Sequence, residues 1–324
     1  MQLALGVDCG GTRIRCGLVN RDGEIVGALH QREPRGEKTR ATYVRAIITT
    51  ITDALRDANQ VAGIGIGMKG LVDHARGVSI YPPGIADWQN VPLAELIRRE
   101  TGLPTWIEND VRVAALGEHW RGAAQGVDDF VFVILGTGIG AAIFREGKLA
   151  RGISSSAGEW GHTIIAFGDQ NFRCDCGQFG HWEALASGKS LARRAQQWIE
   201  SGRGQALLDY AGGARDQITG QWIANAAWQG NPIAIEILRE TGTYIGIGLA
   251  NIINVENPAL IVLGGGMIES ANVWLETAHA AALKLAMKHP ASSARIIPSA
   301  LNANHAGILG AAACVWDQIG KPNQ

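Results

Sequence analysis

The sequence predicts an α/β protein of two related domains built around a duplicated β-sheet core. Short apolar runs that end in glycine-rich turns alternate with longer segments of helical periodicity, which is the pattern of an α/β architecture. In addition, one strand–turn–strand unit occurs twice, first near residues 3–28 and again near residues 130–148. The second occurrence indicates an internal duplication.

The first copy opens the chain. Leu3 to Val7 is an apolar run that leads into Asp8-Cys9-Gly10-Gly11-Thr12. Residues 14–18 alternate in character with a period of two, which is typical of a half-buried strand. Asp22-Gly23 is a strong hairpin signal, and residues 24–28 follow as the returning strand. These residues predict a three-stranded meander whose first turn is rich in glycine.

The second copy repeats this order of elements. Residues 130–135 form an apolar strand, and Gly136-Thr137-Gly138-Ile139-Gly140 is the turn that follows it. A second strand is predicted at 141–144, Glu146-Gly147 is its turn, and a third strand begins at Lys148.

Helices are predicted between and after the two copies. The first has an apolar face at helical spacing. The second starts at a proline and the third at a polar N-cap residue, both favoured starts. The apolar face of the first helix runs from Val44 to Leu55, and the other predicted helices are 92–101, 109–121, 232–254 and 271–288.

Two further apolar strands are predicted. One includes Ile64 and Ile66, which alternate with glycines, and the other, at 259–263, is followed directly by glycines. The second copy of the repeated unit begins near residue 130, so the domain boundary is predicted just before it, near residue 120. The sequence thus predicts a small domain of residues 1–119 with 305–324, and a large domain of residues 120–304.

Composition excludes several classes of protein. With 46% hydrophobic residues and a net charge of −1, the chain is neither disordered nor strongly attracted to nucleic acid. Its 43 glycines have no three-residue period, which excludes collagen. The amino terminus has no basic stretch typical of a signal peptide, and polar residues interrupt the most apolar stretch, 244–267. We therefore expect a cytoplasmic protein without a membrane span.

The glycine-rich turns are candidate phosphate sites. Glycine lets backbone N–H groups approach a phosphate closely, and an aspartate at the strand end suits Mg²⁺ with polyphosphate. Taken alone, Asp8-x-Gly-Gly-Thr could equally be a tight structural hairpin. The turn at 136–138 repeats the same chemistry, and Gly264-Gly265-Gly266 adds a third approach. None of them is a Walker A motif, since Gly-Lys-Ser/Thr does not follow.

Glu108-Asn109-Asp110 precedes a predicted helix and has two interpretations. One is an N-cap, because Asn and Asp favour that position. The other is a carboxylate that accepts a proton from an attacking hydroxyl group, as phosphoryl transfer requires.

Two cysteines and two histidines lie within 20 positions, namely His162, Cys174, Cys176 and His181. Thiolates and ring nitrogens are the ligands of tetrahedral zinc sites, and the surrounding glycines favour a tight loop. The other interpretation is a buried thiol pair beside two ordinary histidines. An odd number of cysteines in a chain without an export signal favours metal or free thiols over a disulfide framework.

Together these motifs resemble the ROK family of sugar kinases and sugar-responsive repressors, in the family's order and over nearly the whole chain. The motifs that carry the resemblance are Asp8-x-Gly-Gly-Thr12, Glu108-Asn109-Asp110, residues 135–140, Gly158-Glu159-x-Gly-His162, Cys174-x-Cys176-Gly-x-x-Gly-x-x-Glu183, Gly264-Gly265-Gly266 and residues 306–312. The resemblance implies an actin-like, ribonuclease H-like ATPase fold.

The resemblance also implies a role for each motif. Asp110 resembles the catalytic base that deprotonates the sugar hydroxyl, most often O6. The residues that resemble sugar-binding groups are Gly70, Asn109, Glu159, His162 and Glu183. Those that resemble ATP–Mg²⁺ sites are Asp8, Gly10, Gly11, Thr12, Gly136, Thr137, Gly138, Gly264, Gly265 and Gly266. His162, Cys174, Cys176 and His181 would hold a structural zinc ion, with the second ring nitrogen of His162 left for sugar. The family also implies a homodimer.

The sequence departs from the family at four places, of which Ala141-Ala142, in place of the common glycines after the second glycine-rich turn, is the smaller change. His181 stands where a third cysteine is common, so the predicted zinc site is Cys₂His₂. Met68-Lys69-Gly70 replaces Val-Pro-Gly, and Lys69 is either a solvated loop cation or a contact to an anionic group near the substrate. The segment at 83–88 also differs from the usual one, so the sugar cannot be inferred from a standard glucokinase.

These observations predict an ATP-dependent kinase that acts on a hexose or N-acylhexosamine. The alternative is a non-catalytic, sugar-sensing member of the family. A DNA-binding repressor is disfavoured because Asp8 lies too near the start for a preceding helix-turn-helix and because the charge is near neutral. Glucose, mannose, fructose, allose and N-acylhexosamines all remain candidate substrates.

Overall fold

The computed structural model describes residues 2–58 and 60–320, and for Ala303 and Asn304 it describes the backbone alone. Parts of the predicted small domain, namely Met1, Asn59 and residues 321–324, lie outside the described residues.

The chain forms two compact units. The first consists of Met1–Asp128, Ala142–Ala157 and Ser299–Gln324, and the second of Asp129–Ala141 and Gly158–Pro298. The boundaries between these units differ from the predicted domain boundaries. For example, residues 142–157 belong to the first unit. The predicted domain boundaries remain a prediction.

Strands and helices alternate along the chain. The strands are β1 (Leu3–Cys9), β2 (Ile14–Val19), β3 (Ile25–Arg32), β4 (Val61–Met68), β5 (Leu71–Asp73), β6 (Val78–Tyr81), β7 (Thr105–Asn109), β8 (Phe130–Leu135), β9 (Ile139–Arg145), β10 (Lys148–Ala150), β11 (Leu260–Gly264) and β12 (Arg295–Pro298). The α-helices are α1 (Arg40–Leu55), α2 (Leu93–Thr101), α3 (Asp110–Arg121), α4 (Trp182–Ala186), α5 (Gly188–Glu200), α6 (Gln205–Tyr210), α7 (Gly220–Trp228), α8 (Pro232–Glu256), α9 (Ala271–Leu285), α10 (Lys288–Ser293) and α11 (Ala303–Ile319). Short 3₁₀ helices lie at Trp160–His162, Arg215–Gln217 and Gly266–Ser270.

Two five-stranded sheets share one topology. The first has the order β3-β2-β1-β4-β7 and the second the order β10-β9-β8-β11-β12. In the first sheet β1–β3 form an antiparallel meander, while β4 and β7 run parallel to β1. In the second, β11 runs parallel to both β8 and β12, and β10 returns antiparallel to β9. The predicted α/β class and duplicated sheet core are confirmed.

The core of the first unit lies between its sheet and the helices. Ile47 and Ile51 of α1 are fully buried together with Leu5 and Ile66 of the sheet. The helix α1 begins four residues before Val44, the first residue of the predicted apolar face, because Thr39 and Thr42 form a reciprocal capping box. The helix α11 packs closely against β4 of this sheet. A Cβ built on Gly65 of β4 would lie 1.8 Å from the carbonyl oxygen of Ala311.

Several predicted element ends are corrected by the structure. The predicted helix at 271–288 ends at Leu285, and α10 follows as a separate helix. Pro290 explains the break, since its ring would clash with the carbonyl of Ala286 in a continuous helix, and Ala286 is extended instead. The helices α4 to α7 lie in a region for which the sequence predicted no helix. Within 2–58 and 60–320, no helix has both the length and the apolar character to cross a membrane.

Candidate active site

Three parallel strands of the first unit end side by side. In the register of the sheet Cys9 pairs with Met68, and Met68 pairs with Asn109. The residues at these strand ends therefore meet at one edge of the sheet, which is where α/β proteins bind ligands. Asp8, Lys69 and Asp110 come together there, although Asp8 and Asp110 lie 102 positions apart in the sequence.

Asp110 is half-buried at the start of α3. Its Oδ1 accepts hydrogen bonds from the backbone N–H of Val111 at 3.0 Å and from Nδ2 of Asn109 at 3.1 Å. Burial, and next the charge of Asp8, raise the pKa of the Asp110 carboxyl to about 6, against the hydrogen bond from Val111 and the charge of Lys69. A carboxylate with such a pKa can accept a proton near neutral pH.

Asn109 is the N-cap of α3. Its Oδ1 accepts hydrogen bonds from the backbone N–H groups of Val111 at 3.0 Å and Arg112 at 3.2 Å, while Nδ2 donates to the carbonyl of Gly70 at 3.0 Å. The two interpretations of this segment thus concern two different residues. Asn109 makes the cap, and Oδ1 of Asp110 shares the N–H of Val111 with it.

Gly70 lies in a turn that only glycine fits. Its φ is +81°, and a Cβ at this position would lie 2.2 Å from the carbonyl oxygen of Tyr81. The turn places the Gly70 carbonyl where it holds the side chain of Asn109.

Glu108 is a fully buried carboxylate behind the site, and the sequence analysis did not assign it a role. It accepts hydrogen bonds from Nε of Arg151 at 2.7 Å, Nη1 of Arg112 at 3.4 Å and the N–H of Asn109 at 2.9 Å. Arg112 in turn donates to the carbonyls of Ser155 at 2.7 Å and Ala157 at 2.8 Å. A glutamate directly after the apolar pair Trp106-Ile107 and directly before Asn109 was the signal that could have revealed this network.

The first glycine turn is surrounded by cations. Nη2 of Arg15 lies 2.7 Å from Oδ2 of Asp8, and Nζ of Lys38 donates to the carbonyl of Gly11 at 3.0 Å. The backbone N–H of Gly10 donates to the carbonyl of Arg13 at 3.0 Å, which closes the turn. Thr12 is exposed beside it.

In the second unit the turn at 136–138 borders a cavity of about 650 Å³. The N–H of Gly136 donates to the carbonyl of Gly138 at 3.0 Å, and the N–H of Gly188 donates to the carbonyl of Gly136 at 2.7 Å. The predicted residues Gly136, Thr137 and Gly266 line the cavity. The cavity has further lining residues that no sequence motif indicated, among them Lys189, Gln196, Arg215, Thr219 and Ser270.

The other two glycines of the third motif serve packing. A Cβ built on Gly264 would lie 2.6 Å from the ring of Phe132, and one on Gly265 would lie 2.4 Å from the carbonyl oxygen of Leu135. They let the chain pass close to β8 and so bring Gly266 to the cavity.

Glu183 lies against the second glycine turn. Its Oε2 accepts a hydrogen bond from the N–H of Ile139 at 2.8 Å. A Cβ on Gly138 would lie 2.3 Å from the same oxygen, so only glycine leaves room for this carboxylate.

His162, Cys174, Cys176 and His181 form one cluster, and their four ligand atoms all lie within 4.8 Å of one another. Nδ1 of His162 lies 3.3 Å from Nδ1 of His181, Sγ of Cys174 lies 3.7 Å from Nδ1 of His162, and Sγ of Cys176 lies 3.3 Å from Nδ1 of His181. A tetrahedral zinc site with bonds of about 2.0 Å to nitrogen and about 2.3 Å to sulfur separates its ligand atoms by roughly 3.3–3.8 Å. The donor set therefore fits a zinc ion, and all five cysteines of the chain are free thiols.

The two ring nitrogens of His162 face different groups. Nδ1 faces the cysteines, while Nε2 lies 3.9 Å from Oε2 of Glu159. Glu159 is itself exposed. This orientation leaves Nε2 and the Glu159 carboxylate together at the surface of the second unit.

A comparison with known families matches residues 4–318 to the ROK family. The chain belongs to the ROK family. It is similar to a glucokinase of Streptomyces coelicolor, with 34% identity over 85% of this chain and 86% of that protein. Among solved structures it is similar to a ROK family glucokinase from Streptomyces griseus in complex with glucose and AMPPNP, with 33% identity, a TM-score of 0.83 and coverage of 97% of this chain and 99% of that one.

ROK proteins of another kind are also similar to this chain. A xylose repressor of Caldicellulosiruptor bescii is 31% identical over 84% of this chain and 68% of that protein. The structural similarity to the Streptomyces griseus glucokinase confirms the fold that the motifs implied. The two duplicated sheets belong to the actin-like, ribonuclease H-like fold.

Proposed function

We propose that this ATP-dependent sugar kinase phosphorylates a hexose or an N-acylhexosamine at the 6-hydroxyl group, with Asp110 as the general base. The ROK match over residues 4–318 and the similarity to glucokinases support the reaction class. The observation that carries the proposal is the half-buried Asp110 at the common edge of β1, β4 and β7, with a pKa raised to about 6.

In the proposed reaction the sugar oxygen attacks the γ-phosphorus of ATP. A new P–O bond forms, the bond to ADP breaks, and the hydroxyl proton passes to Asp110. Phosphoryl transfer needs positioning and charge stabilisation more than covalent catalysis, so an orienting base is sufficient. The raised pKa of Asp110 suits it to take a proton and release it again near neutral pH.

The two glycine turns are proposed to bind the nucleotide. Asp8, Gly10, Gly11 and Thr12 would hold Mg²⁺ and phosphate, and Mg²⁺, when bound, neutralises charge on the phosphate oxygens. Gly136, Thr137 and Gly138 would contact phosphate in the second unit. The cavity of about 650 Å³ beside Gly266 is large enough for a nucleoside.

Sugar binding is proposed for Gly70, Asn109, Glu159, His162 and Glu183. Nε2 of His162 and the exposed carboxylate of Glu159 support the proposal, because they offer a donor–acceptor pair for sugar hydroxyl groups. Oε2 of Glu183 accepts a hydrogen bond from the N–H of Ile139, and Oε1 lies 3.7 Å from Sγ of Cys174, so this carboxylate lies between the second glycine turn and the Cys/His cluster.

Zinc is proposed as a structural cofactor held by His162, Cys174, Cys176 and His181. When bound, it would fix the imidazole of His162 with Nε2 directed away from the metal. The zinc would thus orient a sugar-binding group without taking part in phosphoryl transfer.

The experiment that tests the function is a coupled ADP-release assay over a panel of hexoses and N-acylhexosamines, with Asp110→Asn as the blank. We expect sugar-dependent ADP release by the wild-type chain for at least one member. If calorimetry detects sugar binding but no sugar releases ADP, the protein is a non-catalytic sugar sensor. Analysis of the product by NMR would show whether the phosphate is on O6.

A further inference from the structure

Lys69 directly follows β4 at the edge of the first sheet, and its side chain does not extend freely into solvent. The residue is half-buried, and its Nζ donates a hydrogen bond to the carbonyl of Pro83. A Cβ built on Gly11 would lie 3.3 Å from Nζ, which places the ammonium group against the first glycine turn. The interpretation of Lys69 as a solvated loop cation does not agree with this placement.

The charges around Lys69 favour an anion. Lys38 reaches the same turn, where its Nζ donates to the carbonyl of Gly11 at 3.0 Å. Burial, and next the charge of Lys38, lower the pKa of the Lys69 ammonium group, while the charge of Asp110 raises it. Two ammonium groups beside one glycine turn repel each other, and an anion bound between them would relieve that repulsion.

Lys69 has hydrogen bonds to spare for such an anion. An ammonium group has three donors, and the carbonyl of Pro83 uses one of them. Asp110, the proposed base, is close enough to Lys69 for the two charges to affect each other's pKa. An anion that contacts Nζ would therefore lie near both the glycine turn and the base.

We propose that Lys69 binds the phosphoryl group that is transferred, as the γ-phosphate of ATP before the reaction and as the sugar phosphate after it. This inference rests on the proposed kinase function and adds a residue to it. Lys69 stays protonated and forms no covalent bond. Its N–H groups donate to the non-bridging phosphate oxygens while the sugar oxygen attacks and the bond to ADP breaks.

The test compares two nucleotides that differ in the γ-phosphate. Calorimetry measures binding of AMPPNP and of ADP, each with Mg²⁺, to the wild-type chain and to Lys69→Met. Because a hydrogen bond to a charged group contributes about 1.5–3 kcal/mol, we expect Lys69→Met to weaken AMPPNP binding roughly 10–100-fold. ADP binding should stay within about twofold, since ADP lacks the group that Lys69 contacts.

Two further variants serve as controls. Lys69→Arg keeps the charge and should retain most of the preference for AMPPNP. Lys148→Met replaces an exposed lysine of the first unit and should change neither affinity. Thermal unfolding of each variant shows whether it is folded.

The order in which the enzyme prefers different sugars shows whether Lys69 contacts the phosphoryl group or the sugar itself. We expect Lys69→Pro, which has the residue common in the family, to lower kcat while the order of sugars in the ADP-release panel stays the same. Equal losses of AMPPNP and ADP binding, or a changed sugar order with unchanged AMPPNP binding, would overturn the proposal. Absence of kinase activity in the wild type would contradict the proposed function instead, and the nucleotide comparison would still report on Lys69.

Discussion

Asp110 and Asn109 show how two adjacent residues divide the tasks of one helix start. Asn109 caps α3 by accepting from the N–H groups of Val111 and Arg112, while Oδ1 of Asp110 accepts from Val111 as well, at the edge of the sheet. Behind them Glu108 is fully buried and held by Arg151 and Arg112. The position of the proposed base is therefore determined by neighbours on three different elements.

Replacement of Asp110 by asparagine should lower kcat roughly 10²–10⁴-fold, because the amide cannot accept the hydroxyl proton. Sugar binding, measured by calorimetry, should remain. Asp22→Asn is the matched control, since Asn-Gly is as good a hairpin turn as Asp-Gly, and it should have wild-type turnover. Near-normal turnover of Asp110→Asn would show that another group is the base.

The pKa of Asp110 predicts how activity and stability depend on pH. Below a pH of about 6 the base is protonated, so kcat/KM should fall about tenfold per pH unit. Because the folded pKa is raised from 3.8, the folded chain binds this proton more tightly than the unfolded chain does. The stabilising contribution of protonated Asp110 is therefore lost as the pH rises from about 4 through 6.

At pH 8 the Asp110 carboxylate is ionised, and its buried negative charge destabilises the folded chain. Asp110→Asn removes that charge, so the unliganded variant should melt at a higher temperature than the wild type at pH 8. The difference should disappear near pH 4. A kcat/KM that stays flat down to pH 5 would contradict the assignment of this pKa to the base.

At the scale of elements, the loop between β10 and α4 is organised around the Cys/His cluster. The N–H of Cys174 donates to the carbonyl of Gln178 at 2.8 Å, and the N–H of Gly177 donates to the carbonyl of Cys174 at 2.9 Å, which makes a tight turn. Asp175 in this turn is paired with Lys189 and Arg193 of α5. The backbone thus already holds both thiols towards the histidines.

If the cluster holds zinc, the purified chain should contain about one zinc ion per molecule. His181→Ala should lower that content, measured by atomic emission, because it leaves three protein ligands. His181→Cys, which supplies the thiolate common in the family, should restore it. An unchanged zinc content in His181→Ala would mean that His181 is not a ligand.

The side chain of Arg112 joins the helix α3 to the segment before Gly158. Arg112 is buried, contacts Glu108 and donates to the carbonyls of Ser155 and Ala157. Breaking a buried charge pair costs about 3–5 kcal/mol, because the remaining charge has lost a partner. We therefore expect Arg112→Met to lower the free energy of unfolding by about that amount in urea titrations.

Arg76→Met is the control for the Arg112 variant. Arg76 belongs to an ion pair with Asp73 at 3.8 Å and its side chain is 78% exposed. Exposed pairs contribute about 0–1 kcal/mol, so this variant should be close to wild type. Equal stability of both variants would show that the Glu108 network does not support α3.

At the scale of the whole molecule, two five-stranded sheets have the same strand order. In each sheet, parallel strands end beside a glycine-rich turn, at Gly10-Gly11 in the first and at Gly136–Gly138 in the second. The duplication thus accounts for two separate turns with similar chemistry.

Family membership leads us to predict a homodimer. Since one chain has a mass of 34.4 kDa, light scattering should give about 69 kDa (twice 34.4). A mass near that of one chain at assay concentration would contradict this prediction. The measurement should be made with and without sugar, because a ligand that binds only one state shifts the equilibrium.

The sequence by itself determined the α/β class, the duplicated sheets, the two glycine-rich turns and the residues of the Cys/His cluster. Each of these depends on local features, namely strand periodicity, glycine turns and close spacing of ligands. Helix ends were predicted less well, because they depend on single residues. The Thr39 capping box sets the start of α1, and Pro290 ends α9 before the predicted position.

Only the tertiary structure decided which distant residues meet. The parallel register of β1, β4 and β7 brings Asp8, Lys69 and Asp110 to one edge, and no local pattern encodes that register. Burial then changes their chemistry by raising the pKa of Asp110 and by placing Lys69 against Gly11. Burial and long-range charge interactions arise from packing, so they could not be derived from the order of residues alone.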